Sequence, residues 1–162
     1  PHTNDDVIVT LLMLDDVSEE NGCTYMLPSS HRGDHYSRYR GGDFIGEIAK
    51  CQIPDIETKA MAATGMASDV ILMHTRMVHG GPPNRSDKPH RLLIADSTAA
   101  DSYSLTPPKA ASPYSVEVLS GKPSLTARLK PDVIEMPSNY HDHFFFAVQG
   151  QKAATVSQER EP

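Results

Sequence analysis

The stretch Val7-Ile8-Val9-Thr10-Leu11-Leu12-Met13-Leu14, cut off by Asp15-Asp16, limits the possible folds more than any other feature of the chain. β-Branched side chains lose freedom in a helix and fit a pleated surface, and the run is short for a buried helix. It reads as a strand buried on both faces, near the centre of a sheet. Similar short units follow. Asp16 to Gly22 is polar and ends in the turn dipeptide Asn21-Gly22; Cys23 to Leu27 is a short strand halted by Pro28. Ser29 to Gly42 shows neither helical nor strand periodicity and reads as a long loop of the kind that often covers a site. Asp55 to Ala63 fits either a short helix or irregular chain. Val70-Ile71-Leu72-Met73, introduced by Ser68-Asp69, predicts a strand running from the core to an open edge, with His79 at its end. Gly80-Gly81-Pro82-Pro83-Asn84 cannot continue a strand, because proline removes ladder donors. Arg91 to Ala95 then resumes one, so a hairpin with a wide turn is expected. Ser115 to Leu119 fits one more strand or a docked tail.

Short strands between turn signals, with 13 prolines and 10 glycines in 162 residues, predict an all-β core with helical additions, a sandwich or jelly roll. The length suits one domain, taken as residues 1–150, followed by a polar tail at 151–162. Fifteen Lys plus Arg against 21 Asp plus Glu give a net charge of -6, without a basic run interleaved with aromatics, which argues against nucleic acid and anionic membranes as partners. Cys23 and Cys51 have neither zinc-site spacing nor the density of a disulfide scaffold, so a reducing cytoplasm is expected. No apolar stretch approaches a transmembrane span, and the opening Pro1-His2-Thr3-Asn4-Asp5-Asp6 lacks a signal-peptide pattern. Running at once into an apolar strand, it reads as the inside of a domain.

Chemistry concentrates around the Gly/Pro turn. His79 precedes it and Arg91 follows it, so a hairpin would bring an imidazole and a guanidinium to one mouth. Imidazole with carboxylate and open positions is the facial arrangement of non-haem iron oxygenases. An arginine fork holds a carboxylate in two parallel hydrogen bonds. Taken alone, a histidine at a strand end is more often a hydrogen-bonded structural residue.

Four blocks sharpen the reading: Leu14-Asp15-Asp16 with Glu20-Asn21-Gly22-Cys23; Pro28-Ser29-Ser30-His31-Arg32-Gly33; Ser68-Asp69-Val70-Ile71-Leu72; and His79-Gly80-Gly81-Pro82-Pro83-Asn84-Arg85-Ser86-Asp87-Lys88-Pro89-His90-Arg91. In order and spacing the chain resembles the phytanoyl-CoA dioxygenase family over roughly residues 1 to 105. The resemblance implies a double-stranded β-helix (jelly roll, cupin-like), incomplete at the N-terminus, an iron(II) centre, and 2-oxoglutarate as co-substrate. It implies oxidative decarboxylation of 2-oxoglutarate to succinate coupled to hydroxylation of a small organic substrate. His79 matches the distal iron histidine. The family's HxD pair falls before the segment resembling Pro1 to Asp6, so two iron ligands are expected upstream of Pro1. The ungapped match sets His90 on the co-substrate arginine; chemistry prefers Arg91, which is taken as the co-substrate residue with His90 as the alternative. Where members often have a co-substrate serine, this chain has Gly81.

Other candidates have plainer readings. His2 is a decoy for the HxD histidine, since Asn4 is a feeble iron ligand. His74 is an odd number of positions from His79 and should not share its metal; Arg76 should pair with an acid. Asp15 and Asp16 read as strand-end turn acids, and His141-Asp142-His143 as a surface segment. His31, Arg32, Arg38 and Arg40 on the long loop either meet an anionic group of the substrate or form a solvated basic patch. The rival to an enzyme is a catalytically silent β-helix module or an inactive fragment.

Overall fold

The computed structural model describes residues 1–41, 43–49, 53, 56–105, 117–130, 133, 134 and 136. The chain divides into two compact units. The larger holds residues 2–35 and 55–132; the smaller holds 36–54 and 133–162 together with Pro1.

The apolar run forms β1 (Val7–Met13), which pairs antiparallel with both β6 (Val70–His74) and β8 (Leu92–Thr98), giving a three-stranded sheet in the order β6-β1-β8. Its central place is as expected. Burial on both faces is not found: Val7, Leu11 and Met13 are buried, whereas Ile8 is 40% exposed. The two neighbours satisfy the ladder, but a strand's side chains alternate, and the odd positions are the ones that meet the core.

A second sheet has the order β5-β2-β7, from β2 (Thr24–Met26), β5 (Met61–Ala63) and β7 (His79–Gly80). Met13, Val17 and Cys23 form the core, with Tyr25 and Ala62 of the second sheet and Ile71 and Leu92 of the first packed against them. The core therefore joins the two sheets. Each fully buried side chain of this size contributes about 1.5–3 kcal/mol.

This topology corrects the hairpin. The segment 70–80 is not one strand: after β6 the chain reverses, with the Met77 amide donating to the His74 carbonyl at 2.9 Å, and crosses to the second sheet as β7. After the Gly/Pro turn it returns to the first sheet as β8, pairing with β1. His79 and Arg91 thus belong to different sheets, because β1 and β2 offer better partners than a proline-interrupted neighbour does.

Little is helical: α1 (Ile56–Lys59) precedes β5, and Ser30–Arg32 make a 3-10 turn. The segment read as one loop holds that turn in the larger unit and, in the smaller, β3 (Tyr39–Arg40) paired with β4 (Asp43–Phe44). Residues 117–119 are not strand, and 115 and 116 lie outside the described residues, as do His141, His143 and the tail at 151–162. No described helix is long and apolar enough to cross a membrane.

Candidate metal and co-substrate site

β7 positions His79 through pairing with Met26, and the His79 side chain is exposed. Its Nδ1 lies 2.7 Å from the Met77 carbonyl oxygen. A carbonyl can only accept, so Nδ1 carries the proton and, in the neutral ring, Nε2 keeps the lone pair. That is the tautomer a metal-binding histidine needs, held by a backbone acceptor.

The Gly/Pro turn beyond His79 lies backbone to backbone against the end of the β1–β2 connection. A Cβ on Gly81 would stand 2.9 Å from the Cys23 carbonyl oxygen, and one on Gly22 would stand 3.0 Å from both the Asn84 nitrogen and the Pro82 oxygen. Gly22 also has a φ of 86°, open to glycine at little cost. The absence of serine at position 81 therefore has a steric reason: a side chain there meets fixed backbone.

At the start of the return strand, His90 and Arg91 go different ways. Leu92 pairs with Met13 and packs on the core, and the ladder continues with the Leu14 amide donating to the Arg91 carbonyl at 3.0 Å. His90 and Arg91 precede β8, and they differ in burial: His90 is half-buried and Arg91 exposed. Arg91 is 68% exposed, and one edge of its guanidinium is engaged: Nε donates to Asp15 Oδ2 at 2.9 Å and Nη2 to Oδ1 at 2.6 Å, while its backbone N–H donates to Oδ2 at 2.8 Å. These hydrogen bonds hold the Asp15 carboxyl down at about 2. His90 is half-buried, and its Nε2 is shielded from solvent without a hydrogen-bond partner among the described residues. Buried polar atoms are rarely left so, and a ligand group is one standard partner.

A separate cluster stands at the far end of β1. Asp5, Asp6 and His74 offer ligand atoms within 4.8 Å of one another, the one such trio among the described residues, and His79 is not in it. Its carboxylates already have cations: Lys130 at 2.5 Å and Arg76 at 3.3 Å on Asp5, and Arg128 at 2.6 Å on Asp6. Burial would raise the Asp5 carboxyl, but hydrogen bonds from Lys130 and Arg76 outweigh it and hold it below the usual range. Arg76 thus pairs with an acid, and it also donates to the Gly33 carbonyl at 2.6 Å. Burial lowers His74, whose ring stacks at a tilt on His31 with centroids 5.3 Å apart. His2 is likewise lowered by burial and bridges to Ser104. His31 and Arg32 lie in the larger unit; Arg38 and Arg40 lie in the smaller.

The residue that sequence reading missed is Asn21, 1% exposed. Its Nδ2 donates to the Asp16 carbonyl at 2.8 Å and to the Pro89 carbonyl at 3.1 Å, and its Oδ1 accepts from the Ser18 amide at 2.8 Å. An Asn-Gly pair signals a turn; nothing local announces a bond to a carbonyl 68 positions on.

Comparison with known proteins gives the family. The family model for phytanoyl-CoA dioxygenase (PhyH) matches residues 1–92, more than half of the chain. The chain belongs to the phytanoyl-CoA dioxygenase family. Among curated PhyH-like proteins, a Stutzerimonas stutzeri protein named "Probable alpha-ketoglutarate-dependent hypophosphite dioxygenase" is 32% identical over 96% of this chain. The match covers 56% of that protein, so the chain spans little more than half the length of this relative. Among solved structures, the epimerase SnoN from nogalamycin biosynthesis is similar in fold, with a TM-score of 0.52 and 24% identity over 82% of this chain and 50% of its own. SnoN in complex with Fe3+, alpha ketoglutarate and nogalamycin RO gives 0.53, with 24% identity over 82% of this chain and 51% of its own.

Proposed function

We propose that this PhyH chain is the part of an iron(II)- and 2-oxoglutarate-dependent dioxygenase that carries the distal iron histidine and the co-substrate strand, on a double-stranded β-helix. Its reaction is hydroxylation of a small organic substrate, coupled to conversion of 2-oxoglutarate to succinate and CO2. Family membership supports the class, and the observation that carries the assignment to residues is His79, with Nδ1 tied to a carbonyl and Nε2 without a hydrogen-bond partner among the described residues. Iron(II), when bound, would supply the redox chemistry; His79 would supply one ligand, and the family's HxD pair would supply the other two.

For the co-substrate carboxylate we favour His90 over Arg91. The Nε–Nη2 edge of Arg91 is spent on Asp15, whereas half-buried His90 has an Nε2 with no partner among the described residues, in keeping with the ungapped match. An imidazole donates one hydrogen bond where a guanidinium donates two, so weaker co-substrate binding than an arginine gives is part of the proposal. The same substitution favours a second reading, a family member that keeps the fold without the activity.

One experiment separates the two. The full-length protein, supplied with iron(II), oxygen and 2-oxoglutarate, is assayed for succinate. Formation that disappears in His79→Ala supports the enzyme. No succinate from the wild type, at any co-substrate concentration, supports the silent module.

A further inference from the structure

We infer that Asn21 and Asp15, on the β1–β2 connection, are positioning residues that pin the two peptide planes on either side of His90 and so set where its ring stands. This rests on His90 being the co-substrate contact.

A residue's own φ and ψ are fixed when the peptide planes before and after it are fixed. The plane before His90 contains the Pro89 carbonyl, which accepts from Asn21 Nδ2 at 3.1 Å. Proline already locks its own φ, so holding its carbonyl fixes the remaining dihedral of Pro89. The plane after His90 contains the Arg91 N–H, which donates to Asp15 Oδ2 at 2.8 Å. Both holders are firm in turn. Asn21 is fully buried and satisfied on every side, through Asp16, Ser18 and Pro89. Asp15 is gripped by the Arg91 side chain in two further hydrogen bonds. The connection also touches the turn at the Arg85 amide, which donates to the Glu20 carbonyl at 3.3 Å, and at the glycine contacts of Gly22 and Gly81. Beyond Gly80 the turn to His90 has no strand ladder; Asn84 braces its middle, with Nδ2 donating to the Lys88 carbonyl at 2.7 Å and Oδ1 accepting from the Ser86 amide at 2.8 Å, and the rest of its geometry is imposed from outside. Asn21 and Asp15 impose it at the residue that matters.

The test uses the full-length protein with Asn21→Ala, and Asn21→Ser should alanine fail to fold; Val7→Ala serves as a control that loosens the same sheet at a distance. Two readouts are taken. The first is the KM for 2-oxoglutarate against kcat in succinate formation; a loss of folded protein lowers the active fraction and apparent kcat but leaves KM alone. Asn21 variants are expected to raise KM about tenfold, which corresponds to about 1.4 kcal/mol, while Val7→Ala leaves it unchanged. The second needs no turnover: the His90 ring resonances, with His74 and His31 as internal references. They are expected to shift on 2-oxoglutarate addition in the wild type and, in Asn21 variants, to lie displaced already in the free protein while the references stay. An Asn21 variant with wild-type KM, or with an undisturbed His90 ring, overturns the positioning role. A wild type that makes succinate while its His90 ring ignores 2-oxoglutarate overturns the co-substrate contact instead.

Discussion

Arg91 gives Asp15 three hydrogen bonds, two from its guanidinium and one from its backbone, across 76 positions of sequence. The Nε–Nη2 edge of the fork is given to Asp15, so a ligand carboxylate could meet only the remaining Nη edge unless this charge-assisted pair breaks. Arg91→Ala leaves the backbone hydrogen bond to Asp15 in place, and the guanidinium it removes is on the exposed side of the pair, so its loss matters little. In the full-length protein, Arg91→Ala is therefore expected to change the 2-oxoglutarate requirement less than about threefold. His90→Ala removes the proposed contact, and one hydrogen bond to a charged group contributes about 1.5–3 kcal/mol, so the requirement rises roughly ten- to a hundredfold. Titration of both variants with 2-oxoglutarate, read as succinate, decides it; a large loss in Arg91→Ala with none in His90→Ala returns the role to the arginine.

The same pair leaves a mark on acid stability. With the Asp15 carboxyl lowered to about 2 by its hydrogen bonds from Arg91, the folded state binds that proton less readily than the unfolded chain. The stabilisation is present above the ordinary aspartate value of about 3.9 and is lost as pH falls toward about 2. Denaturant midpoints recorded across that window are expected to fall more steeply for wild type than for Asp15→Asn, in which nothing titrates at this position. Parallel curves for the two proteins contradict the assignment.

How far these relationships were legible follows from their range. β1, β6 and β8 each hold a run of Val, Ile or Leu, β1 closed by Asp15, and β2 is a short stretch halted by Pro28, so all four were readable. The hairpin was misread because its two strands look adjacent in sequence, whereas pairing is decided by β1 and β2, which lie far upstream. Burial on both faces of β1 failed for a related reason: the run is apolar at even and odd positions alike, and the sequence does not say that the second sheet lies on the odd side. Asn21, as a core hydrogen-bond hub, and Asp15, as the partner of Arg91, were invisible because each looks like an ordinary turn residue until the register across the two sheets is known.

Tyr25 offers a check on the second sheet. Its hydroxyl donates to Glu19 Oε2 at 2.6 Å, and that hydrogen bond, with burial and the carboxylate charge beside it, pushes its pKa up to about 12. A raised value means the contact stabilises the fold below the ordinary tyrosine value of about 10 and is lost as pH rises through about 12. Ultraviolet titration is expected to show one tyrosine ionising late, absent in Tyr25→Phe and returned to the ordinary range in Glu19→Ala.

Core substitutions should separate by burial. Met13 is 2% exposed and lies in the cluster that joins the sheets, so Met13→Ala is expected to cost about 2–5 kcal/mol in chemical denaturation. Leu125 is 99% exposed, and Leu125→Ala should stay within about 0.5 kcal/mol. Similar losses for both would mean that Met13 is not where the sheets meet.

Gly81→Ser puts the chemistry of the family against the packing of this chain. Family members often carry a serine two residues after the iron histidine, where a hydroxyl can meet the co-substrate, and on that ground alone the substitution should tighten 2-oxoglutarate binding. Here the new Cβ arrives 2.9 Å from the Cys23 carbonyl oxygen, which is backbone next to a fully buried side chain and cannot swing aside. The turn must move instead, and it carries His79 at one end and leads to His90 at the other. Overpacking of this kind costs roughly 1–3 kcal/mol. Gly81→Ser is accordingly expected to lower the thermal midpoint and to raise the 2-oxoglutarate requirement, both measured against Gly80→Ser, whose Cβ meets nothing within 4 Å. Should Gly81→Ser bind the co-substrate more tightly at unchanged stability, the turn has more room than its backbone contacts allow, and the glycine has some reason other than Cys23.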